Sequence, residues 1–454
     1  MRILFDFRSY QLSYNRGIGR YMFSLATSLI NNDMVDLSLL VSNELKGFEL
    51  AQTLKSKVKV FELEKFNDYT LETNFDFFLK GNLFDEQYYT PNDIYPLDVI
   101  KKCNNVVAII HDFIPLIFAG NYMKNDMARN IYAKQIVLSN YPIHFFANSQ
   151  CTAEDGKKYL ARPDEDFTVI YGGADEQEFY TPNSSKPYDA KNRSNNVVFV
   201  AGNNLRKNYH GATKAFARAF ETGKLPPDAK LYLICSANDK FTKNVKNELK
   251  GYKAKFGKQV IVTDYISDKK MLDLLGNARA SIFPSFYEGL GLPILESYIA
   301  GTPAFASNLS STKEFVNEIS SFDPYKEDEF VDTIIKIYND EEFCRQSLSF
   351  GRQLVKKINW SNAAATMIAK LEKLAKSKNK KTGKTAVVAQ DDTLLEKLRP
   401  FVQNGTEYDV FANFKSIKEY SDCLKNNENK GNVFPTEFFE YANCQQNYKE
   451  KISV

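Results

Sequence analysis

Residues Ser281–Glu296, SIFPSFYEGLGLPILE, restrict the folds open to this chain more than any other stretch. Ala280-Ser281-Ile282-Phe283-Pro284 is an apolar run with the length of a short buried strand. A glycine-bearing turn follows at Glu288-Gly289-Leu290-Gly291-Leu292, and Pro293 falls where a first helical turn belongs. Ile294, Leu295, Tyr298 and Ile299 then recur at helical spacing. Strand, glycine loop and helix start together specify a parallel α/β unit. Free backbone N–H groups and the positive end of the helix dipole there favour an anion such as a phosphate. Glu288 and Glu296 flank the loop. Acidic residues are favourable at any helix start, but at about 1.5 Å rise per residue these two can address separate groups of one ligand.

The same pattern recurs along the chain. Arg2–Phe7 reads as a strand and is followed by a polar stretch to Asn15. Arg16-Gly17-Ile18-Gly19-Arg20-Tyr21 then opens a helix with apolar Met22, Leu25, Ala26, Leu29 and Ile30. Val106–Ile110 is a buried parallel strand ending in His111-Asp112-Phe113-Ile114-Pro115, and polar groups just past such a strand face the ligand crevice. Val197–Ala201 is a third strand, Gly202–Asn208 its loop and Gly211–Phe220 its helix. Arg206 and Lys207 in that loop can be surface cations, or can clamp a diphosphate, one as a planar fork and the other as a point charge. His144 lies within the strand-like Pro142–Asn148 and reads as structural; His210 is expected to cap a helix. Asp164-Glu165-Asp166 spells the D-x-D of metal-dependent sugar transfer, but it sits in a turn before the strand Phe167–Tyr171, at the wrong edge for a site.

Several of these segments, in order, resemble the retaining nucleotide-sugar glycosyltransferases of family 4, the group 1 glycosyltransferases. EGLGLPILE resembles their E-x7-E signature, HDFIP their His-Asp-x-x-Pro segment, and GNNLRKN their Gly-…-Arg-Lys-Asn loop. RGIGRY is in the expected place near the N-terminus, and the likeness spans roughly residues 1–375. The resemblance implies a GT-B fold: α/β, two Rossmann-like doubly wound domains facing a cleft. The Pro/Ser/Asn/Lys-rich stretch Pro182–Asn196 reads as the linker, giving an acceptor-side domain over residues 1–185 and a nucleotide-sugar domain over 190–375. Trp360-Ser361 resembles the start of the closing helix that returns to the first domain.

The resemblance also implies roles. Arg206, Lys207 and the N–H groups at Gly289, Leu290, Gly291 and Leu292 would stabilise the departing diphosphate in place of a metal ion, so no metal or other cofactor is expected. Glu288 would hold the donor sugar, Glu296 the ribose, and His111 the sugar from the other domain. Gly17 and Gly19 would let the N-terminal loop approach the diphosphate, and Tyr265, in Asp264–Asp268, would lie by the base. The reaction would move a sugar from a nucleotide diphosphate to an acceptor hydroxyl on a glycan, lipid-linked or protein-linked, in surface polysaccharide or glycoconjugate assembly. A nucleotide-sugar epimerase of the same fold and a non-catalytic sugar-nucleotide scaffold are the alternatives.

Composition narrows the field. A net charge of +3 over 454 residues gives no reason to expect nucleic-acid binding. Six scattered cysteines without a C-x-x-C pair argue against a zinc site or disulfide framework and fit a reducing cytoplasm. The N-terminus MRILFDFRSY has no signal-peptide h-region, and no run of about 18 apolar residues occurs. A cytoplasmic location is therefore expected. Lys370–Lys384 is lysine-rich, as a solvated helix end or as a patch for the anionic inner face of a membrane. Residues 385–454 fall outside the resemblance; Thr385–Gln390, Thr393–Val402 and Glu407–Phe411 read as strand, helix and strand, the start of a further α/β unit that stops there.

Overall fold

The computed structural model describes residues 1–376 apart from 15, 46–51, 72, 86–89, 140, 161, 175, 201, 236 and 264–265, together with four strands beyond residue 384. The chain divides into two compact units, one of residues 1–147, 155–168 and 364–454, the other of 148–154 and 169–363.

Seven strands form the larger sheet of the first unit: β1 (Arg2–Asp6), β2 (Asp36–Val41), β3 (Lys59–Glu62), β4 (Phe75–Lys80), β5 (Cys103–Ile110), β6 (His144–Ala147) and β7 (Phe167–Val169). Their order is β3-β2-β1-β4-β5-β6-β7. The pairings from β3 to β6 are parallel. Helix Gly17–Ile30 buries Tyr21, Met22, Leu25, Ala26 and Leu29, so its 3.6-residue stripe faces the core. Part of the polar stretch before it is helical. Arg8–Ser13 is a helix that buries Arg8, Ser9 and Ser13, and Arg8 tolerates burial because Asp6 takes its charge.

The second unit carries β8 (Asn196–Val200), β9 (Lys230–Ile234), β10 (Val260–Thr263), β11 (Ala280–Phe283), β12 (Ala304–Ser307) and β13 (Ser321–Phe322), ordered β10-β9-β8-β11-β12-β13 and all parallel. Strand order reverses between β1 and β4 in the first sheet and between β8 and β11 in the second. Doubly wound sheets bind ligands at the carboxyl ends of such a pair. Two Rossmann-like sheets of this kind are the architecture that the sequence predicts.

His210 does not cap its helix. Asn208 does: it stands in the left-handed region at φ 58°, and its side-chain oxygen accepts from the Gly211 N–H at 3.1 Å. Asparagine tolerates that backbone conformation, whereas His210 lies inside the helix Tyr209–Glu221 and pairs with Glu248 at 3.0 Å. Past residue 384, strands β14 (Thr385–Val388) and β15 (Tyr408–Ala412) appear where expected; the expected helix 393–402 lies outside the described residues. The tail goes further than strand, helix and strand. β16 (Val433–Pro435) and β17 (Glu450–Ser453) complete a four-stranded parallel sheet ordered β16-β15-β14-β17. Among the described residues no helix is long and apolar enough to cross a membrane.

Candidate functional site

Both loops at the switch point of the second sheet carry charge. After β8 the chain turns at Gly202 (φ +66°), Asn204 accepts from the Arg206 N–H at 3.0 Å, and a short 3-10 turn presents Arg206 and Lys207. Pro284–Gly291 follows β11 and presents Glu288. Arg206 Nη1 lies 2.5 Å from Glu288 Oε2 and donates to the Tyr287 carbonyl at 2.7 Å. Lys207 Nζ lies 3.0 Å from Glu288 Oε1, which also accepts from Ser285 Oγ at 2.9 Å. Two cations and one buried carboxylate are thus gathered where a parallel sheet receives its ligand.

The glutamate loop is held from three directions. The Glu288 N–H donates to Ser310 Oγ at 2.9 Å, and Ser311 Oγ donates to the Glu288 and Leu290 carbonyls at 2.9 and 2.8 Å. Ser149 and Thr152 donate to the Gly289 carbonyl at 2.6 and 3.1 Å. The Phe286 N–H reaches the Arg206 carbonyl at 2.7 Å, which ties one loop to the other. Asn208 and Ser310 are the described non-glycine residues with positive φ, and both flank the charged cluster; strain of this kind collects at functional sites. Gly291, at φ +103°, begins helix Leu292–Ile299, a conformation costly to a side chain, and Pro293 stands in the first turn. Glu296 is buried in that helix.

Of the residues expected at a site, Arg206, Lys207, Glu288, Gly289, Leu290, Gly291, Leu292 and Glu296 all belong to these two loops and the helix after them. His111, Gly17 and Gly19 belong to the first unit, and Tyr265 lies outside the described residues. His111 is buried, places Nε2 3.0 Å from the Gly81 carbonyl, and meets the edge of Tyr21 at 5.1 Å. A carbonyl only accepts, so Nε2 carries the proton. Gly19 has no room for a side chain: a Cβ there would come within 2.2 Å of the Ser13 carbonyl oxygen. Gly17 has open space around it.

Burial alone would raise the Glu288 carboxyl, but Arg206 and then Lys207 outweigh it and hold the group at about 2. Glu288 is therefore ionised throughout the physiological range. His111 moves the other way, its imidazole pushed down to about 4 by burial against a smaller opposing effect of the Gly81 carbonyl. Its folded value lies below the ordinary 6.5, so as pH falls from 6.5 to 4 the unfolded chain takes a proton that the folded protein refuses. Stability is lost over that window, at up to about 1.4 kcal/mol per pH unit from this group. Denaturant titrations at several pH values should give a shallower slope for His111→Gln than for the parent; an unchanged slope would mean His111 titrates alike in both states.

Residues 181–353, which contain both loops, match the family model described as glycosyl transferases group 1. That segment is similar to the group 1 glycosyltransferases. The serotype-specific mannosyltransferase WbdA of Escherichia coli is 24% identical over 283 residues, 60% of this chain and 34% of its own. This chain thus spans about a third of the length of that relative. HepE from Anabaena, solved in complex with UDP and glucose, is 16% identical with a TM-score of 0.57, over 82% of this chain and 100% of its own. Sucrose-phosphate synthase from Thermosynechococcus elongatus is 15% identical with a TM-score of 0.63, over 82% and 99%. At that identity these two share the fold, which is GT-B.

Sequence reasoning missed the supports of these two loops, Ser149, Thr152, Ser285, Ser310 and Ser311. It also missed a buried ionic cluster at the β1/β4 switch point of the other unit. Asp6 accepts from Arg8 Nε and Nη2 at 2.8 Å each and from Lys80 Nζ at 2.7 Å, with Asp6 and Lys80 fully buried. Ser9 Oγ lies 2.5 Å from the Asp85 carboxylate, which burial raises. The signal was legible in principle: Asp6 in ILFDF and Lys80 in FDFFLK are charges set into apolar strands. Beside Arg8 opens a cavity of about 490 Å³, whose lining includes Ser42, Glu64, Asn67, Asn92 and Asp98. The D-x-D turn belongs to neither site: Asp164 pairs with Lys157 and Asp166 with Arg162, on an exposed 3-10 turn.

Proposed function

We propose that the protein is a retaining glycosyltransferase that moves a sugar from a nucleotide diphosphate to an acceptor hydroxyl in surface polysaccharide or glycoconjugate assembly. The observation that carries this reading is the convergence of Arg206, Lys207 and Glu288 at the β8/β11 switch point, inside the matched segment. Cleaving a sugar–phosphate bond leaves growing negative charge on the β-phosphate and positive charge on the sugar. Two cations and the loop N–H groups answer the first, and the Glu288 carboxylate answers the second. Glu296 would take ribose hydroxyls. In the first unit, the cavity beside Arg8 would suit a hydroxyl-rich, uncharged acceptor, since Arg8 is neutralised by Asp6 and the lining carries carboxylates. A cytoplasmic location at or near the inner membrane face fits that role.

Incubation with a panel of nucleotide sugars and neutral oligosaccharides, following nucleoside diphosphate release, tests the reading. Nucleotide-activated mannose and UDP-glucose head the panel, from what the relatives' names say of them. Turnover of at least one donor is expected. Tight nucleotide binding with no turnover of any donor would make the protein a scaffold instead.

Charge neutralisation by side chains also predicts that EDTA leaves the rate unchanged. Loss of activity on chelation, restored by Mn²⁺ or Mg²⁺, would overturn the metal-free account.

A further inference from the structure

The charges at the β8/β11 switch point are already satisfied among themselves. Oε2 of Glu288 is held by Arg206 at 2.5 Å, and Oε1 by Lys207 at 3.0 Å and Ser285 at 2.9 Å. The carboxylate is buried, and its two cations are mostly buried too, with side chains 15% and 22% exposed. A diphosphate that used both cations would have to sit against a second anion bonded to the same two groups. Like charges at that separation repel strongly where water is scarce.

We infer that Glu288 is an internal counter-ion that exchanges with the nucleotide diphosphate during each catalytic cycle. This rests on the glycosyltransferase reading and adds a second role for the same carboxylate. When the donor arrives, Arg206 and Lys207 pass from the carboxylate to the phosphate oxygens. Glu288, released from both, keeps its charge and turns to the sugar, where positive charge will develop. After transfer the sugar has left, and the carboxylate is again free to compete for the cations. Its return displaces the nucleoside diphosphate, so it opposes product inhibition. No bond is made or broken in the exchange: a cluster with two positive charges and one negative trades one anionic partner for another.

The geometry favours exchange over simple coexistence. Arg206 also donates to the Tyr287 carbonyl at 2.7 Å, so its guanidinium stays anchored when the carboxylate leaves. The loop backbone is pinned by Ser310 and Ser311, so the movement falls to the Glu288 side chain alone. Ser285, whose hydroxyl donates to Oε1, favours the resting position without adding charge.

Calorimetry on the full chain, with inorganic diphosphate, UDP and GDP, tests this. Glu288→Gln removes the competing charge and keeps the shape, so it should bind the diphosphates about tenfold more tightly and release them more slowly in stopped-flow. Ser285→Ala keeps the charge but loosens its resting position, and should tighten diphosphate binding by about two- to threefold. Equal or weaker affinity in folded Glu288→Gln would overturn the exchange. Should that variant not fold, unchanged affinity in Ser285→Ala would overturn it instead. A parent protein that binds diphosphates while the variants bind alike removes only the exchange. If parent and variants bind none of the three probes, the glycosyltransferase reading falls with it.

Discussion

Glu288→Gln should lower turnover about a thousandfold while the protein stays folded and still takes up nucleoside diphosphate. A unit charge about 4 Å from a developing cation contributes about 4 kcal/mol at the effective dielectric of a partly buried site. Each 1.36 kcal/mol is about a factor of ten in rate. Gln keeps the size and hydrogen-bonding reach of Glu, so the loss reports charge. Glu296→Ala should act with the opposite emphasis. Glu296 lies inside helix Leu292–Ile299, past the loop, where it would meet ribose, so its loss should weaken nucleotide binding more than it slows the chemical step. Donor-saturation kinetics with calorimetry on both variants separates the two. Nucleotide affinity lost at position 288 and kept at 296 would show the two assignments reversed.

The parts of this site legible in the sequence are those where local chemistry and chain order coincide. In SIFPSFYEGLGLPILE a short apolar strand, glycines and a first-turn proline leave the backbone few options, and Glu288 lies inside that pattern. Arg206 and Lys207 were legible for the same reason, directly after an apolar strand. What could not be read was the direction each side chain takes. Nothing local says that Arg206 and Lys207 rest on Glu288, since that bond spans about eighty residues and depends on β8 and β11 being neighbours. Ser310 and Ser149 were likewise invisible: serines are common on surfaces, and only tertiary packing brings these to the Glu288–Gly289 backbone. The helix Arg8–Ser13 has no apolar stripe to announce it, since most of its residues are polar. Burial there depends on an ion pair between residues 6 and 8, a constraint that hydrophobic periodicity does not register.

Lys207→Ala and Arg206→Ala should each lower turnover by about 10²–10³-fold, the usual cost of removing one strong stabilising group from a developing anion. Their effects on folding should differ. Lys207 reaches the cluster through its bond to Glu288, so its truncation removes charge and leaves the loop framework standing. Arg206 also donates to the Tyr287 carbonyl, and its loss removes that charge-assisted bond as well, a penalty of about 1–3 kcal/mol. Glu288 complicates both variants in an informative way. Above pH 4.5 its ionised form stabilises the fold, and that contribution fades as pH falls toward about 2. With both cations removed, burial pushes the carboxyl upward against only the Ser285 hydroxyl, so a buried charge is left without an ionic partner. Adding Glu288→Gln to the Arg206→Ala/Lys207→Ala pair should therefore recover stability without recovering turnover. Thermal melts and donor turnover of the triple and double variants check this directly. A triple variant no more stable than the double would mean that Glu288 is solvated rather than held by its two cations.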